Sequence, residues 1–264
     1  MNLKNIFKKI NEYLILRKMQ YFSDQNGIIR RYIHEKENWD SHIKKSKAFI
    51  LKSAENKKKG KVVVLGSGWL LDLPIEELSK QFNEVILVDI IHPKQILHKI
   101  KKYPNVKTLK ADITGGLIDY LHHSLKTNNK KKQKVLISAI DSFSFVLPKD
   151  SDFVISLNVM CQLHIILVDY IINNYTLSDS EIKNFIVKIQ RSHINMLPQN
   201  KSCLITDIEE ETLTEEDQTI GVNPLMKIEL PKGKFNSLWQ WKFDSSMTYK
   251  DDVKTYFNTK AIDF

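Results

Sequence analysis

Residues 61–89 bring glycines and a carboxylate together in the order that a ligand site of nucleotide type requires. An apolar, β-branched run at 62–65 predicts a buried parallel strand, and Gly66-Ser67-Gly68 follows it directly. Glycines let a backbone approach its ligand closely, and a helix beginning after the turn would present free amides. A second run at 85–88 ends on Asp89, whose carboxylate can accept hydrogen bonds from a ribose diol.

This succession of strand, turn, helix and strand resembles motif I of the class I, Rossmann-like methyltransferases that use S-adenosylmethionine. A dinucleotide-binding fingerprint fits less well, because it needs a third glycine where this chain has Leu71. In the methyltransferase family the acid after the second strand binds the ribose, which is the position of Asp89. The family often has an acid two residues before the first glycine, where this chain has Val64, and Asp72 is a candidate to replace it.

Two further strands carry polar residues at their carboxyl ends, where open α/β sheets bind ligands. The run 106–111 is followed by Asp112, which matches the acid that bonds the adenine amino group in the family. The run 152–158, of the form D-x-V-x-S-x-N, resembles the fourth strand of the family. The resemblance implies that Ser156 and Asn158 lie near the transferable methyl group, and that His164 stands in a helix that walls the site.

The resemblance therefore implies S-adenosyl-L-methionine as cofactor and methyl transfer to an unidentified acceptor, either a small molecule or a nucleic acid. The expected cofactor-binding residues are Gly66, Ser67, Gly68, Asp89, Ile90, Asp112, Ile113, Ser156 and Asn158. The expected catalytic residues are Asn158 and His164. Candidate substrate contacts are Arg31, Trp39 and His42, although Trp39 also suits a position in the core.

Strands that alternate with helices predict an α/β fold, a Rossmann-like three-layer αβα sandwich with a mostly parallel sheet. Two aromatic-rich runs, 238–244 and 253–264, predict a C-terminal antiparallel hairpin. The methyltransferase family has such a hairpin after its fifth strand, whereas a nicotinamide-binding domain more often continues with a parallel unit. We expect an N-terminal helical cap at 1–56 and a Rossmann-like methyltransferase domain at 57–264, with an insertion at 211–238.

Local patterns predict the remaining elements. Amphipathic helices are expected at 2–22 and 28–54, separated by a break at Asp24-Gln25-Asn26-Gly27. The glycine turn is expected to lead straight into a helix over 70–82, and a further helix is expected at 160–175. The lysine-rich run 126–134 and the acidic run 209–217 are typical of exposed loops. Residues 134–146 indicate an insertion or extra hairpin, and 226–230 a short strand.

Composition limits the classes of function. With 42% hydrophobic residues, the 264-residue chain can bury a full core. Its net charge of +9 is concentrated in residues 1–60, with 15 Lys and Arg against 6 Asp and Glu. This asymmetry indicates either a basic face for an anionic partner or a solvated lysine-rich surface.

Membrane, metal and secretory classes are not indicated. The chain has no run of about 18 uninterrupted apolar residues, no convincing secretory signal and no zinc-spaced Cys and His cluster. Its two cysteines, Cys161 and Cys203, suit buried free thiols in a reducing compartment. We expect a cytoplasmic protein with no membrane span and no bound metal.

Two other functions stay open at this point. A NAD(P)-dependent oxidoreductase uses the same βαβ unit, but this chain lacks the third fingerprint glycine and an evident Tyr-x-x-x-Lys pair near the fourth strand. A catalytically silent Rossmann-like module would bind RNA or a partner through its basic N-terminal helices. Loss of cofactor binding with retained, salt-dependent binding of nucleic acid would favour that module.

Overall fold

The computed structural model describes residues 3–124, 139–174 and 177–264. The strands of its central sheet are β1 (Lys61–Leu65), β2 (Glu84–Asp89), β3 (Val106–Lys110), β4 (Phe153–Leu157), β5 (Ser202–Leu213), β6 (Thr219–Pro224), β7 (Phe235–Asp244) and β8 (Lys254–Asp263). They lie in the order β3-β2-β1-β4-β5-β8-β7, and β6 pairs with β5. The α-helices are α1 (Leu3–Lys18), α2 (Tyr21–His34), α3 (Lys36–Ala54), α4 (Ile75–Gln81), α5 (Lys94–Lys99), α6 (Leu117–Ser124), α7 (Ile165–Asn174) and α8 (Asp179–Met196).

The first five strands form a parallel sheet that is covered on both faces. β1 pairs in parallel with β2 and β4, and the parallel pairing continues from β2 to β3 and from β4 to β5. Val62 and Val64 pack in a core with α3, α4 and α5, whereas Val63 and Leu65 face the opposite side of the sheet. That side is covered by a core in which α6, α7 and α8 contribute buried residues. The predicted three-layer αβα sandwich is confirmed.

The C-terminal end of the sheet is antiparallel, as the aromatic-rich runs predict. β7 and β8 form an antiparallel pair, and β8 is also antiparallel to β5. The last strand therefore lies directly beside β5. In a doubly wound dinucleotide-binding sheet this place belongs to a sixth parallel strand. The two folds diverge at this edge.

The break between the first two helices lies earlier than predicted. The chain turns at Gln20, which adopts a left-handed conformation with φ of 65°. The polar residues 24–27, predicted to break the helix, lie inside α2. Tertiary contacts hold this segment helical: the Gln25 side chain donates to the Ile91 carbonyl oxygen (2.9 Å), and the Gln25 carbonyl oxygen accepts from the Trp69 indole (2.8 Å). Local polarity was therefore a poor guide at this position.

Two helices begin later than predicted. The chain stays irregular after the glycine turn, where Leu70 has a φ of +53°, and α4 begins only at Ile75 after Pro74. Proline suits a helix start because its missing N–H would have no partner there. The helix predicted from residue 160 likewise begins at Ile165 as α7. The residues of the glycine turn are thus not at the N-terminus of a helix.

The acidic run 209–217 is only in part the exposed loop that its charge predicts, because residues 215–217 lie in an exposed turn but residues 209–213 do not. β5 continues to Leu213, and its last residues pair with both β6 and β8. The Asn258 amide holds Glu209 (3.1 Å) and Glu211 (2.5 Å) on one face of this extension. Residues 226–230 are irregular, so the strand predicted for them is wrong. The strand of this region is β6, which ends at Pro224.

Some predicted segments lie outside the described residues. The lysine-rich run 126–134 is one of them, as is the first part of 134–146; within the rest, Ala139–Ser142 forms a 3₁₀ helix. Among the described residues, no helix combines the length and the apolar character that crossing a bilayer would require.

A buried glutamate joins the N-terminal helices to the end of β7. Glu35, between α2 and α3, accepts hydrogen bonds from the backbone N–H groups of Ser245 (3.1 Å) and Ser246 (3.0 Å). It also accepts from both serine hydroxyls and from the Asn38 amide. Burial raises the pKa of Glu35, but the hydrogen bonds from Ser246, Ser245 and Asn38 outweigh burial and leave its pKa below the usual value.

Replacing Glu35 with glutamine is expected to reduce the free energy of unfolding by about 1–3 kcal/mol at neutral pH, because charged hydrogen bonds are lost. A carboxyl group whose pKa is lowered by folding stabilises fully above its unfolded-state pKa and loses this contribution as pH falls through its folded-state pKa. The difference between the two proteins should therefore shrink below about pH 4.5. Urea unfolding at neutral and acidic pH measures it, with exposed Glu37→Gln as the control. A difference independent of pH would contradict this explanation.

Candidate functional site

A cleft opens at the carboxyl edge of the parallel strands, under α2 and α3. The loops after β1, β2, β3 and β4 all contribute to its wall. Several of the predicted site residues meet there: Gly66, Ser67, Gly68, Asp89, Ile90, Asp112, Ile113, Asn158, Trp39 and His42. The parallel register brings these strand ends to one edge, which is the general ligand position of open α/β sheets.

The turn after β1 depends on glycine at both of its glycine positions. Gly66 has a φ of +77°, and a Cβ there would lie 2.5 Å from the Cβ of Val159 and 2.8 Å from the Leu157 carbonyl oxygen. Gly68 has a φ of +45°, but the nearest atom to a Cβ there is the Gly66 carbonyl oxygen at 3.9 Å. Gly66 therefore lets the backbone pack against the end of β4, whereas Gly68 borders open space.

Asp89 holds this turn in place from the end of β2. Its Oδ2 accepts the Gly68 backbone N–H at 2.7 Å, and its Oδ1 lies 3.3 Å from the Ile91 N–H. Burial raises the pKa of Asp89, and the backbone hydrogen bonds from Gly68 and Ile91 oppose that rise. The backbone N–H groups of Gly66 and Ser67 are bonded to the Val88 carbonyl oxygen. The turn amides are thus already used inside the protein.

Asp112 organises the loop after β3. Its Oδ1 accepts from the N–H (2.8 Å) and hydroxyl (2.5 Å) of Thr114, and its Oδ2 accepts from the N–H groups of Gly116 (3.1 Å) and Ile118 (3.2 Å). Burial raises the pKa of Asp112, against the effect of these hydrogen bonds. Its carboxylate lines the cleft and at the same time caps the start of α6.

Asn158 follows β4 and joins two side chains across the cleft. It has a left-handed backbone with φ of 48°, which asparagine tolerates better than most residues. Its Nδ2 donates to Asp72 Oδ2 at 2.8 Å and lies 3.1 Å from His42 Nε2. Its Oδ1 is buried and has no hydrogen-bond partner among the described residues. A buried acceptor without a donor marks a place where a ligand donor fits.

The ring of His42 is fixed on three sides. It stacks on Trp241, with ring centroids 3.9 Å apart, and its Nδ1 lies 3.1 Å from Nε1 of Trp239. The Trp239 indole at Nδ1 and the Asn158 amide nitrogen at Nε2 can both only donate, and a neutral imidazole has one acceptor nitrogen. We assign the acceptor to Nδ1, because the Trp239 indole N–H is buried and has no other partner among the described residues, so the proton is on Nε2 and the 3.1 Å contact with Asn158 is not a hydrogen bond. The Nε2 proton faces the cleft beside the Asp72 carboxylate, whose Oδ2 is 3.9 Å away.

We expect neutral His42 to be the Nε2–H tautomer. Nitrogen-15 NMR of the histidine ring should therefore show an unprotonated Nδ1. Trp239→Phe removes the indole donor and should allow the Nδ1–H tautomer to become populated. A wild-type Nδ1 that carries the proton would be incompatible with the donor assigned to Trp239.

The N-terminal helices form the outer wall of the cleft. Tyr21, Asp24 and Gln25 of α2 line it together with Trp39 and the other α3 residues. Burial, followed by the charges of Asp112 and Asp24, raises the pKa of Tyr21, which therefore stays a neutral phenol. The Trp39 indole donates to the Phe243 carbonyl oxygen at 2.9 Å, so this residue serves the core and the cleft together.

Three predicted site residues are not in the cleft wall. Ser156 is fully buried, and its hydroxyl is 2.7 Å from Nε2 of His193 in the layer under α8. The hydroxyl of Ser156 is directed to His193 of α8, inside the layer that covers the sheet, and therefore does not reach the cleft. His164 is also outside the cleft, and burial, followed by the charge of Lys227, lowers its pKa to about 4. Arg31 lies over the rings of Phe243 and Tyr249 in a neighbouring cavity.

Sequence reasoning missed several residues of the cleft, namely Tyr21, Asp24, Gln25, Trp69 and Trp241. The first three belong to the segment predicted to end a helix, and Trp241 was assigned only to a hairpin. The local sequence did indicate that these residues belong to a helix end or to a hairpin strand. It did not indicate that their side chains face the cleft. Asp72 was considered for its charge, and it is a cleft residue.

The charged side chains in the cleft wall are predominantly acidic. Asp24, Asp72, Asp89 and Asp112 all line it. No lysine or arginine among the described residues lines it. Carboxylates in a partly buried cleft favour a cationic ligand and repel an anionic one. The apolar and aromatic side chains in the same wall suit a ligand with a planar, apolar part.

Similar solved structures are methyltransferases, but the similarity is distant. The N-methyltransferase NodS from Bradyrhizobium japonicum WM9 is 8% identical, with 85% of this chain and 98% of that one covered and a TM-score of 0.36. The DhpI–SAH complex is 11% identical over 93% and 96%, with a TM-score of 0.38. A SAM-dependent methyltransferase from Aquifex aeolicus is 13% identical over 84% and 97%, with a TM-score of 0.35.

No protein-family model matches the chain, and no curated protein sequence matches it. Structural similarities at these identities and TM-scores carry no argument about function.

Proposed function

We propose that the protein is an S-adenosylmethionine-dependent methyltransferase. The observation that carries this proposal is a cleft lined by four aspartates and, within the described residues, by no lysine or arginine. S-adenosylmethionine carries a sulfonium, an ammonium and a carboxylate group, so its net charge is positive and the aspartates attract it. The pyrophosphate of NAD or NADP is anionic and would need free backbone amides or basic side chains.

Two further features favour the sulfonium cofactor over a dinucleotide. The amides of the glycine turn are bonded to Val88 and Asp89, and α4 begins seven residues after Gly68. A pyrophosphate would therefore find neither a free amide nest nor a helix N-terminus at this turn. The antiparallel β8 beside β5 also matches the methyltransferase version of the fold that the sequence resembles.

The residues of the cleft fit the groups of this cofactor. Gly68 borders open space in which the amino-acid part fits, and the buried Oδ1 of Asn158 offers an unused acceptor to its ammonium group. We assign the ribose to Asp89 and the adenine to the wall formed by Ile90, Asp112 and Ile113. Asp72 supplies the charge that the family often places before the first glycine.

Bound S-adenosylmethionine supplies an electrophilic methyl group, to which an acceptor lone pair bonds while the carbon–sulfur electron pair stays on sulfur. The protein contributes mainly alignment of the two reactants and exclusion of water. We propose that residues 1–56 act as a cap over the 57–264 domain and contribute Trp39 and His42 to this exclusion. The insertion at 211–238 and the compartment stay predictions.

Calorimetric titration with S-adenosylmethionine and S-adenosylhomocysteine tests the proposal, with NAD and NADP as controls. We expect binding of both sulfur compounds in the micromolar range and no binding of the dinucleotides. Binding of a dinucleotide alone would favour the oxidoreductase. Absence of all binding, with salt-dependent retention of RNA, would favour a non-catalytic module.

A further inference from the structure

A second cavity lies beside the cleft, below β7 and β8. It has a volume of about 660 Å³, which is within the range of small-molecule sites. Its wall and the wall of the cleft share Asp24, Ile28, Gln162, Ile166 and Trp241. A molecule in this cavity would therefore be the immediate neighbour of a ligand in the cleft.

An irregularity in β5 brings two carboxyl groups into this wall. The register of β5 against β8 shifts between Asp207 and Glu209, which leaves Ile208 without a partner on β8. In a regular strand Asp207 and Glu209 would share a face, but the extra residue puts Asp207 and Glu210 on the same face. Both of these are buried and line the cavity, whereas Glu209 bonds to Asn258.

Of these two carboxyl groups, Asp207 has the fewer interactions to offset the cost of its burial. Only 2% of it is exposed. Its Oδ1 accepts from the Thr259 hydroxyl at 2.7 Å, but its Oδ2 has only the thiol of Cys161 at 3.8 Å. Glu210 is paired with Lys250 at 2.6 Å, whereas no lysine or arginine in the described part of the chain forms an ion pair with Asp207. Burying an ionised carboxylate without a cation costs several kcal/mol.

Aromatic side chains on the neighbouring strands continue the same wall, since Phe257 is paired with Glu210 and Trp241 is paired with Phe257. Trp241, Phe243 and Phe257 line it from β7 and β8, and Tyr249 lies beside them. The Arg31 guanidinium is 4.8 Å from the ring centre of Phe243 and 4.6 Å from that of Tyr249, so this wall already holds one cation over its rings.

Trp241 gives an independent indication of a ligand. It is 94% buried, since its exposed fraction is 6%, and it belongs to the walls of both the cleft and the cavity. Its indole Nε1 has no hydrogen-bond partner among the described residues. Buried indole N–H groups are normally bonded, so an unused one in a cavity wall indicates space that a ligand atom fills.

We propose that this cavity binds the methyl acceptor and that the acceptor is a small organic amine, which enters as an ammonium ion. The inference rests on the proposed methyltransferase function and specifies its substrate class. The ammonium group meets Asp207 and the faces of the aromatic rings. An anionic acceptor would be repelled, because the carboxyl groups in the cavity wall outnumber the basic side chains. The carboxyl groups are those of Asp24, Asp169, Asp207 and Glu210, and the basic side chains are Lys18 and Arg31.

An ammonium ion has no lone pair, so it must lose a proton before it can take a methyl group. The proton passes from the ammonium nitrogen to the Asp207 carboxylate, which leaves a neutral amine and a neutral carboxylic acid. The nitrogen lone pair is then free to form the bond to the methyl carbon. Burial raises the pKa of Asp207, against the effect of the charge of His42 and the hydrogen bond from Thr259, and this rise makes the carboxylate a better proton acceptor.

The test uses three probes that share a phenylethyl group and differ in charge: phenethylamine, 2-phenylethanol and 3-phenylpropionate. Each is titrated into the full-length protein with and without saturating S-adenosylhomocysteine, and tryptophan fluorescence reports binding. We expect phenethylamine to bind at least about tenfold more tightly than the alcohol or the acid, as a charged hydrogen bond and a cation–π contact predict. Equal binding of the three probes, or a preference for 3-phenylpropionate, would overturn the proposal.

Matched variants assign the selectivity to the cavity. Asp207→Asn keeps an acceptor for Thr259 and should weaken phenethylamine binding by about tenfold or more, with S-adenosylhomocysteine affinity unchanged. Glu209→Gln, two residues after Asp207 and on the opposite face of β5, should change neither affinity. Glu210→Gln is a second variant on the cavity face and should weaken the amine.

The two proposals fail in different ways. Normal S-adenosylhomocysteine binding without amine preference overturns only the acceptor class. The proposed acceptor class is also overturned if Glu209→Gln loses the preference for the amine while Asp207→Asn keeps it. Amine preference without S-adenosylhomocysteine binding upholds the amine site and removes the methyltransferase function.

Discussion

Replacing Asp89 with alanine is expected to weaken S-adenosylhomocysteine binding by roughly a hundredfold, because each lost charged hydrogen bond contributes about 1.5–3 kcal/mol. The substitution removes the proposed ribose acceptor and also leaves the Gly68 N–H, now bonded to Asp89 Oδ2 at 2.7 Å, without its partner. Both effects act on the cleft. Isothermal titration calorimetry measures the loss directly.

Two comparisons separate recognition from folding. Asp119→Ala makes the same change of charge on α6, where the side chain is 71% exposed, and should leave binding unaltered. Asp89→Asn retains an oxygen for the Gly68 N–H and should lose less affinity than the alanine variant. If Asp89→Ala binds within threefold of the wild type, the ribose is not held by this residue.

Replacing Gly66 with alanine is expected to lower the free energy of unfolding by about 2–4 kcal/mol, from a positive φ together with overpacking. The new Cβ would meet Val159 and the Leu157 carbonyl oxygen within 2.8 Å. Gly68→Ala also has a positive φ but no close neighbour, so it should cost only about 1–2 kcal/mol. Its methyl group would occupy space in the cleft and reduce S-adenosylhomocysteine affinity by about tenfold or more.

Urea unfolding and calorimetry together test this separation. Gly27→Ala is the matched control, because Gly27 is inside α2 and a Cβ there meets nothing within 4 Å. That variant should be neutral or more stable by about 0.5–1 kcal/mol. Equal destabilisation by Gly66→Ala and Gly68→Ala would mean that the steric environment of the turn is not as described.

The local sequence pattern was sufficient to place a strand that is buried on both faces and is bounded by glycine or acidic residues. β1, β2 and β4 are apolar runs of five or six residues, and each was placed to within a residue or two. Because parallel strands end at one edge of a sheet, the positions of Gly66, Asp89, Asp112 and Asn158 follow from those strands. The hairpin of β7 and β8 was equally clear from its aromatic residues.

Local pattern failed where distant contacts decide the conformation. Polarity predicted a break at 24–27, but hydrogen bonds of Gln25 with Ile91 and Trp69 belong to a helix packed on the sheet. Charge predicted a loop at 209–217, but pairing with β6 and β8 makes residues 209–213 part of a strand, and the loop is confined to the residues after Leu213. A hydrogen bond or strand partner far along the chain leaves no trace in a short window of sequence.

The sequence by itself determined the α/β class, the mostly parallel sheet with its antiparallel end, and the row of glycines and carboxylates at the sheet edge. These follow from periodicity, from glycine geometry and from the shared direction of parallel strands. The resemblance implied a helical cap, but tertiary structure alone decided that Tyr21, Asp24 and Gln25 of α2 line that edge. It also decided that Ser156 and His164 lie elsewhere and that His42, Asp72 and Asn158 meet. The bulge at Ile208 places the side chains of Asp207 and Glu210 in the wall of the same cavity. It does so because a single unpaired residue reverses the face of every side chain that follows it in the strand.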